Sequence, residues 1–390
     1  MHEAIMLPVI MISLALALRQ MSMTIVSPFI STYCKSLAGY TPFLAGLAVG
    51  DFGLMQALFQ IPFGMLSDRF GNKRIMIMGL SIVIVGFILG FLTKDIWVLI
   101  LARVLQGSGA VLAVGYSWVA GLSKDGESRT KAMSTLGGFV SAAGALAFAI
   151  GPLLRGFLSV NGMYLAGAIL LTANVLYIIF FLKDANEKKK TAAPKWNELT
   201  SLLKSRPFVI MNLAAFLNNF MLMSIFYAAP IEMDSITGQG GMWKIFVPAI
   251  LIAILFMKIA VHWVSKGKSY VVLLVSFVLS VIGVLFYFQN PTFLTLLAGT
   301  IFYLCSYVTI ATVAATYANE GMKDELRGTG NGIFNSFQYI GAFIGAVITG
   351  AIWGVSRTAT WGIILAAGTI GCILFICTCI SSNKQKGLVK

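Results

Sequence analysis

Residues 64–74 read Gly-Met-Leu-Ser-Asp-Arg-Phe-Gly-Asn-Lys-Arg, a short basic turn between two long apolar runs near residues 42–65 and 75–93. About 20 mainly apolar residues cross a hydrocarbon core of about 30 Å, so the turn is a tight loop joining two membrane-spanning helices. Gly64 permits close helix approach, and Gly71 permits the turn itself. Asp68 can cap a helix N-terminus or pair with a cation from a neighbouring span. Arg69, Lys73 and Arg74 supply the loop's positive charge.

Outward from this turn the 390-residue chain offers further runs of the same kind, near residues 5–31, 96–121, 132–157, 162–182, 208–231, 242–264, 269–288, 292–317, 330–354 and 358–380. Only 11% of the residues are charged and 58% are hydrophobic, against roughly 25% charged in a soluble domain. The expected fold is all-α integral membrane, with twelve transmembrane helices in two six-helix bundles. The first run has no Lys or Arg before it and no small-residue cleavage site, so it reads as a retained span rather than a signal peptide.

A net charge of +14 could point to nucleic acid, but its placement excludes that partner. The cations gather at even-numbered connections: Arg69, Lys73 and Arg74; Lys124, Arg129 and Lys131; Lys183 to Arg206; Lys266 and Lys268; Lys323 and Arg327; then Lys384, Lys386 and Lys390. The other side holds only Lys35, Lys94, Lys244 and Arg357. Cytoplasmic loops accumulate Lys and Arg, so both termini are expected in the cytoplasm. Five cysteines show no paired metal-ligand spacing and receive no chemistry.

The expected organisation is a bundle at 1–183, a cytoplasmic linker at 184–207, a second bundle at 208–382 and a cytoplasmic tail at 383–390. Within the linker Trp196, Leu199 and Leu203 fall at i, i+3 and i+7, which fits either a short helix on the membrane surface or a solvated connector. The basic turn around Gly71 has a weaker echo in VSKGKS around Gly267. An internal duplication of this kind fits two bundles with a binding site between them at mid-membrane. Hydrogen-bonding side chains are scarce in the third, sixth, ninth and twelfth runs, so the polar first, second, fourth, fifth, seventh, tenth and eleventh are expected to surround a cavity.

Charges inside apolar runs are functional candidates by default. Asp51, in the second run, is the only acid well inside a predicted span; it is a proton-carrier candidate, a structural partner of Arg19, or a substrate contact. Arg19 lies midway along the first run and Arg103 in the fourth; Lys258 either joins them in the core or snorkels to the surface. Buried cations then outnumber buried acids, and an anionic substrate bearing a carboxylate would complete such a site. Asn218, Asn219 and Tyr227 in the seventh run, Tyr303 and Tyr307 in the tenth, and Asn335 and Gln338 in the eleventh supply hydrogen bonds and stacking surface, or act as interhelical glue.

The turn at Gly64 to Arg74 resembles the loop signature of the major facilitator superfamily, with Asn72 where the family prefers a cation. In the fourth run Arg103, Gln106, Gly107 and Gly109 are similar to the superfamily motif with a buried arginine, and the plainer reading is an arginine bonded to first-span carbonyls. Gly138, Gly151, Pro152 and Gly156 resemble the fifth-span motif of its antiporters, with Ala147 and Arg155 replacing two glycines. Gly328 to Tyr339 resembles the start of the eleventh span of twelve-span drug/proton antiporters, with Asn331, Asn335 and Gln338 on one stripe.

The resemblance touches both halves. It implies a secondary active transporter working by alternating access, latched by the loop of Asp68, with Arg103 tied to proton transfer and the fifth span packed on the eighth. The expected function is proton-coupled export of a small organic compound from a prokaryotic inner membrane. The alternative is a carrier, in either direction, for an anionic metabolite such as a carboxylate siderophore or organic acid. The expected partners are a small-molecule substrate and the lipid bilayer; the chain is expected to work as a monomer without a cofactor, driven by the proton gradient. His2 and His262 are the only histidines, and no catalytic or metal-ligand set can be assembled from them, so an enzyme is not expected. A non-transporting sensor would have no use for Asp68 and Gly71.

Overall fold

The computed structural model describes residues 2–122, 126–183, 204–238, 240–319 and 327–387, and the regular structure among them is helical. Its helices long and apolar enough to cross a membrane are Met6–Cys34, Pro42–Phe70, Asn72–Leu92, Ile96–Leu122, Lys131–Arg155, Val160–Phe181, Arg206–Thr237, Trp243–Ser265, Ser269–Phe288, Phe293–Ala318, Gly330–Trp353 and Arg357–Ile380. They coincide in number and order with the apolar runs. Two outlast them. The second span continues to Phe70 and stops at Gly71, whose φ of 95° only glycine adopts readily. The seventh runs through Pro230 to Thr237 and stops at Gly238, φ 70°. In these two helices the stop is a glycine with positive φ, not the loss of apolarity.

Proline and glycine also break two spans internally. The first passes into a 3-10 turn at Ser27–Phe29, around Pro28, and the fourth is interrupted after Ser108 at Gly109. The surface helix read at Trp196, Leu199 and Leu203 lies outside the described residues.

The chain groups into two compact units, Met1–Ala193 and Pro194–Lys390. In the first, the first span packs on the fifth, the second on the fourth, and the third on the fourth and sixth. In the second, the seventh packs on the eleventh, the eighth on the tenth, and the ninth on the tenth and twelfth. The pairing scheme repeats six spans later. So do details: Gly167 of the sixth span receives the Phe87 ring of the third, and Gly371 of the twelfth receives the Phe277 ring of the ninth, each so closely that a Cβ would overlap the ring. Gly71 and Gly267, at equivalent turns, both have positive φ.

One expectation needs correction. The sixth and ninth spans do bury polar side chains. Asn174 donates to the Ala15 carbonyl at 2.8 Å, and Ser276 and Ser280 are buried in the ninth span. Their hydroxyls donate back to Val272 and Phe277 carbonyls at 2.8 and 2.7 Å. A hydroxyl satisfied by its own helix is cheap in hydrocarbon, so polarity alone does not mark a cavity-lining span.

Candidate functional site

In the first unit three spans converge on Phe52. Arg19 is fully buried, and its Nη2 donates to Gln56 Oε1 at 2.7 Å. Arg103 is 2% exposed; its Nε donates to the Ala48 carbonyl at 3.0 Å and its Nη1 to Gln106 Oε1 at 2.7 Å. Both guanidinium groups lie by the Phe52 ring, with Cζ 5.6 Å (Arg19) and 5.0 Å (Arg103) from its centroid. A desolvated cation over an aromatic face gains about 2 kcal/mol, so one phenyl ring helps hold both charges.

Asp51 is buried, and Arg103 is a charge within its electrostatic reach. Arg19 thus bonds Gln56, and Arg103 acts on Asp51. Five residues separate Asp51 from Gln56, placing them on different faces of the second span, and Arg19 of the first span reaches the Gln56 face. The backbone acceptor of Arg103 also belongs to the second span, not the first. Gly107 is the cause, because it lies so close to the second span that a Cβ there would overlap the Phe52 carbonyl. Gly109 makes the same approach to Gly79 of the third span.

At the 64–74 turn the assigned roles shift. Asp68 lies in the last turn of the second span rather than at a helix N-terminus, and its Oδ1 accepts from Ser117 Oγ at 3.1 Å. A Cβ on Gly64 would sit 4.0 Å from Ala113 Cβ, ordinary contact, so close approach does not require glycine there. Lys73 Nζ donates to the Ile179 and Leu182 carbonyls at 2.8 and 2.7 Å, capping the end of the sixth span. Arg69 lies over the neighbouring Phe70 ring at 5.2 Å, and Arg74 is exposed.

In the fifth span Gly151 approaches the first span, where its Cβ would fall 2.8 Å from the Ile25 carbonyl oxygen. Pro152 lies inside this helix, and Gly156 lies in the turn beyond it, its amide donating to Leu153. Arg155 ends the helix, and its Nη1 donates to the Leu158 carbonyl at 3.2 Å.

In the second unit the expected polar residues fall into two groups. Asn219 Nδ2 donates to Gln338 Oε1 at 3.3 Å, and Gln338 Nε2 to Asn335 Oδ1 at 3.4 Å, a half-buried relay of three amides. Asn218 donates to the Tyr307 carbonyl at 3.3 Å, and Tyr303 and Tyr307 stack with centroids 6.3 Å apart. Tyr227 stands apart, fully buried and edge-on to Trp353 at 6.3 Å. Lys258 is exposed and does not join the core cations.

Sequence reasoning missed Phe52, Gln56 and a half-buried charge pair. Gln56 and Gln60 are an i, i+4 pair inside an apolar run, a signal that could have marked a polar face. Glu232, 5% exposed, accepts from Arg357 Nε at 2.6 Å and from Trp361 Nε1 at 3.1 Å. Arg357 also donates to the Tyr287, Phe288 and Gln289 carbonyls at 2.6, 3.3 and 2.8 Å, closing the end of the ninth span.

Comparison with known proteins agrees with this architecture. The chain is 28% identical over 345 residues to the inner membrane transport protein YajR of Escherichia coli K12, covering 87% of this chain and 76% of that one. It is 27% identical over 200 residues to the class C tetracycline resistance protein of Escherichia coli, about half of each chain (50% and 49%). The solved structure of the nucleoside transporter NupG superposes with a TM-score of 0.73 at 14% identity, covering 95% of this chain and 98% of that one. The family model of the Major Facilitator Superfamily matches residues 12–346. A multi-pass membrane protein with this pairing of spans and this match along most of its length is a transporter of the Major Facilitator Superfamily.

Proposed function

We propose that this transporter is a proton-coupled exporter of a small organic compound bearing a carboxylate, with Arg19 and Gln56 as the anion-binding pair and Asp51 beside Arg103 as the proton carrier. The observation that carries the reading is the Arg19–Gln56 bond. Only the amide oxygen can accept from a guanidinium, which turns Gln56 Nε2 away as a donor, and that nitrogen is buried without a hydrogen-bond partner in the protein. A buried donor beside a buried cation is suited to an oxyanion. Asp51 is the acid available to exchange a proton in the same unit's interior, and neutralising it would change the local balance with Arg103. Asp68, Lys73 and Arg74 are taken as parts of the switching loop. Asn219, Asn335 and Gln338, with Tyr303 and Tyr307, are taken as substrate contacts in the second unit. Export is favoured by the similarity, 30% identity over 210 residues, to the multi-drug resistance efflux pump PmrA of Streptococcus pneumoniae.

The test is transport in proteoliposomes under an imposed pH gradient. Asp51→Asn should abolish gradient-driven transport yet retain ligand binding; full gradient response in that variant would overturn proton coupling through Asp51. Arg19→Gln should remove binding of carboxylated compounds while sparing neutral ones, and equal loss of both would overturn the anion assignment. A second reading, exchange of an organic acid without protons in either direction, is favoured by two buried arginines sharing one ring. It would appear as counter-anion-dependent transport indifferent to the pH gradient.

A further inference from the structure

Transport leaves one group of basic side chains without a role. Lys258, His262 and Lys266 stand at i, i+4 and i+8, a single ridge at the end of the eighth span, and all three are exposed. The same ridge continues up the helix in Leu251, Leu255 and Ile259, which are 56%, 62% and 60% exposed. Exposed leucine and isoleucine on a spanning helix meet acyl chains. A lysine set among them extends its ammonium toward the interface.

The turn beyond the helix adds to this ridge. Gly267 takes φ 76°, and the amides of Lys266 and Lys268 donate to the Trp263 carbonyl at 3.2 and 3.3 Å. Both ammonium groups are thereby folded over the indole, at 5.9 and 4.6 Å from its ring. Trp263 is itself 45% exposed, as befits a tryptophan at headgroup depth. The sequence contains no Asp or Glu from Ser235 to Asn319, so the eighth, ninth and tenth spans offer these cations no carboxylate. A purely topogenic signal would account for Lys266 and Lys268 in the loop. It would not account for Lys258 and His262 in register with them inside the helix.

We infer that this end of the eighth span is a binding site for an anionic phospholipid. Its phosphate lies among Lys258, His262, Lys266 and Lys268, and an acyl chain lies along Leu251, Leu255 and Ile259. The surface carries three lysines and a histidine at headgroup depth and is apolar above them, which is the complement of such a lipid.

The test is thermal shift and native mass spectrometry of the full-length detergent-purified protein with added phosphatidylglycerol, phosphatidylcholine or inorganic phosphate. Phosphatidylglycerol should stabilise the protein and stay bound where phosphatidylcholine does not. Lys258→Gln combined with His262→Gln should weaken that binding about tenfold, and Lys258→Arg should keep it. These variants leave the loop lysines, and so the topogenic charge, in place. Equal stabilisation by phosphatidylcholine, an equal effect of inorganic phosphate alone, or undiminished lipid binding in a folded double variant would each overturn the inference. If the double variant fails to fold, Lys266→Gln with Lys268→Gln carries the same expectation and the same refutation.

Discussion

Arg19 is held by a neutral amide, and that choice of partner is testable one atom at a time. Gln56→Glu keeps the shape and supplies a carboxylate, so it should stabilise the protein yet weaken carboxylated ligands at least tenfold. Gln56→Leu removes the acceptor of a buried charged donor and should lower stability by about 1.5–3 kcal/mol. Thermal unfolding with and without ligand separates the two. A second contrast concerns tyrosines. Tyr303 is buried and its hydroxyl has no partner in the protein, whereas the Tyr287 hydroxyl bonds Thr300 Oγ1 at 2.8 Å. Tyr303→Phe should therefore leave the unfolding midpoint unchanged or raised, while Tyr287→Phe should lose about 1 kcal/mol. Arg19, Arg103 and Asp51 were legible in the sequence because a charge in an apolar run stands out. Gln56 and Phe52 were not, since their importance comes from what two other helices bring to them.

Among the helices, glycine positions decide how closely spans approach, and sequence motifs do not rank them. Gly107 and Gly109 bear directly on carbonyls of the second and third spans, so alanine at either should overpack the seam and lose about 1–3 kcal/mol. Gly64 has room for a Cβ; Gly64→Ala should fold with an unchanged unfolding midpoint, leaving any transport defect to be assigned to switching. The membrane spans themselves were readable to within a few residues, because hydrocarbon thickness fixes their length. The extension of the seventh span past Pro230 was not. Beyond that proline the helix is held by Glu232 through Arg357 and Trp361, partners more than a hundred residues away (125 and 129) that no local pattern announces. Glu232→Gln should therefore lower the unfolding midpoint more than the exposed Lys244→Gln does.

For the molecule as a whole, the repeated pairing of spans was foreshadowed only by the two basic turns, because packing partners are conserved in geometry while side chains diverge. Phe87 with Gly167 and Phe277 with Gly371 are the same solution reached in different sequence surroundings. The charge distribution makes a prediction at this scale: single cysteines replacing Lys73 and Lys266 in a cysteine-free background should react with membrane-impermeant reagents from the cytoplasm, and those replacing Lys94 and Lys244 from outside. Uniform labelling from one side would refute the twelve-span orientation. The closure of the ninth span has a further consequence, for synthesis of the chain. Its terminal carbonyls are satisfied by an arginine 68 to 70 residues downstream, a residue made only after the ninth helix. Assembly of the second unit thus stays unfinished until its last helix is inserted, and a nascent chain that ends before Arg357 leaves Glu232 without its Arg357 counter-ion.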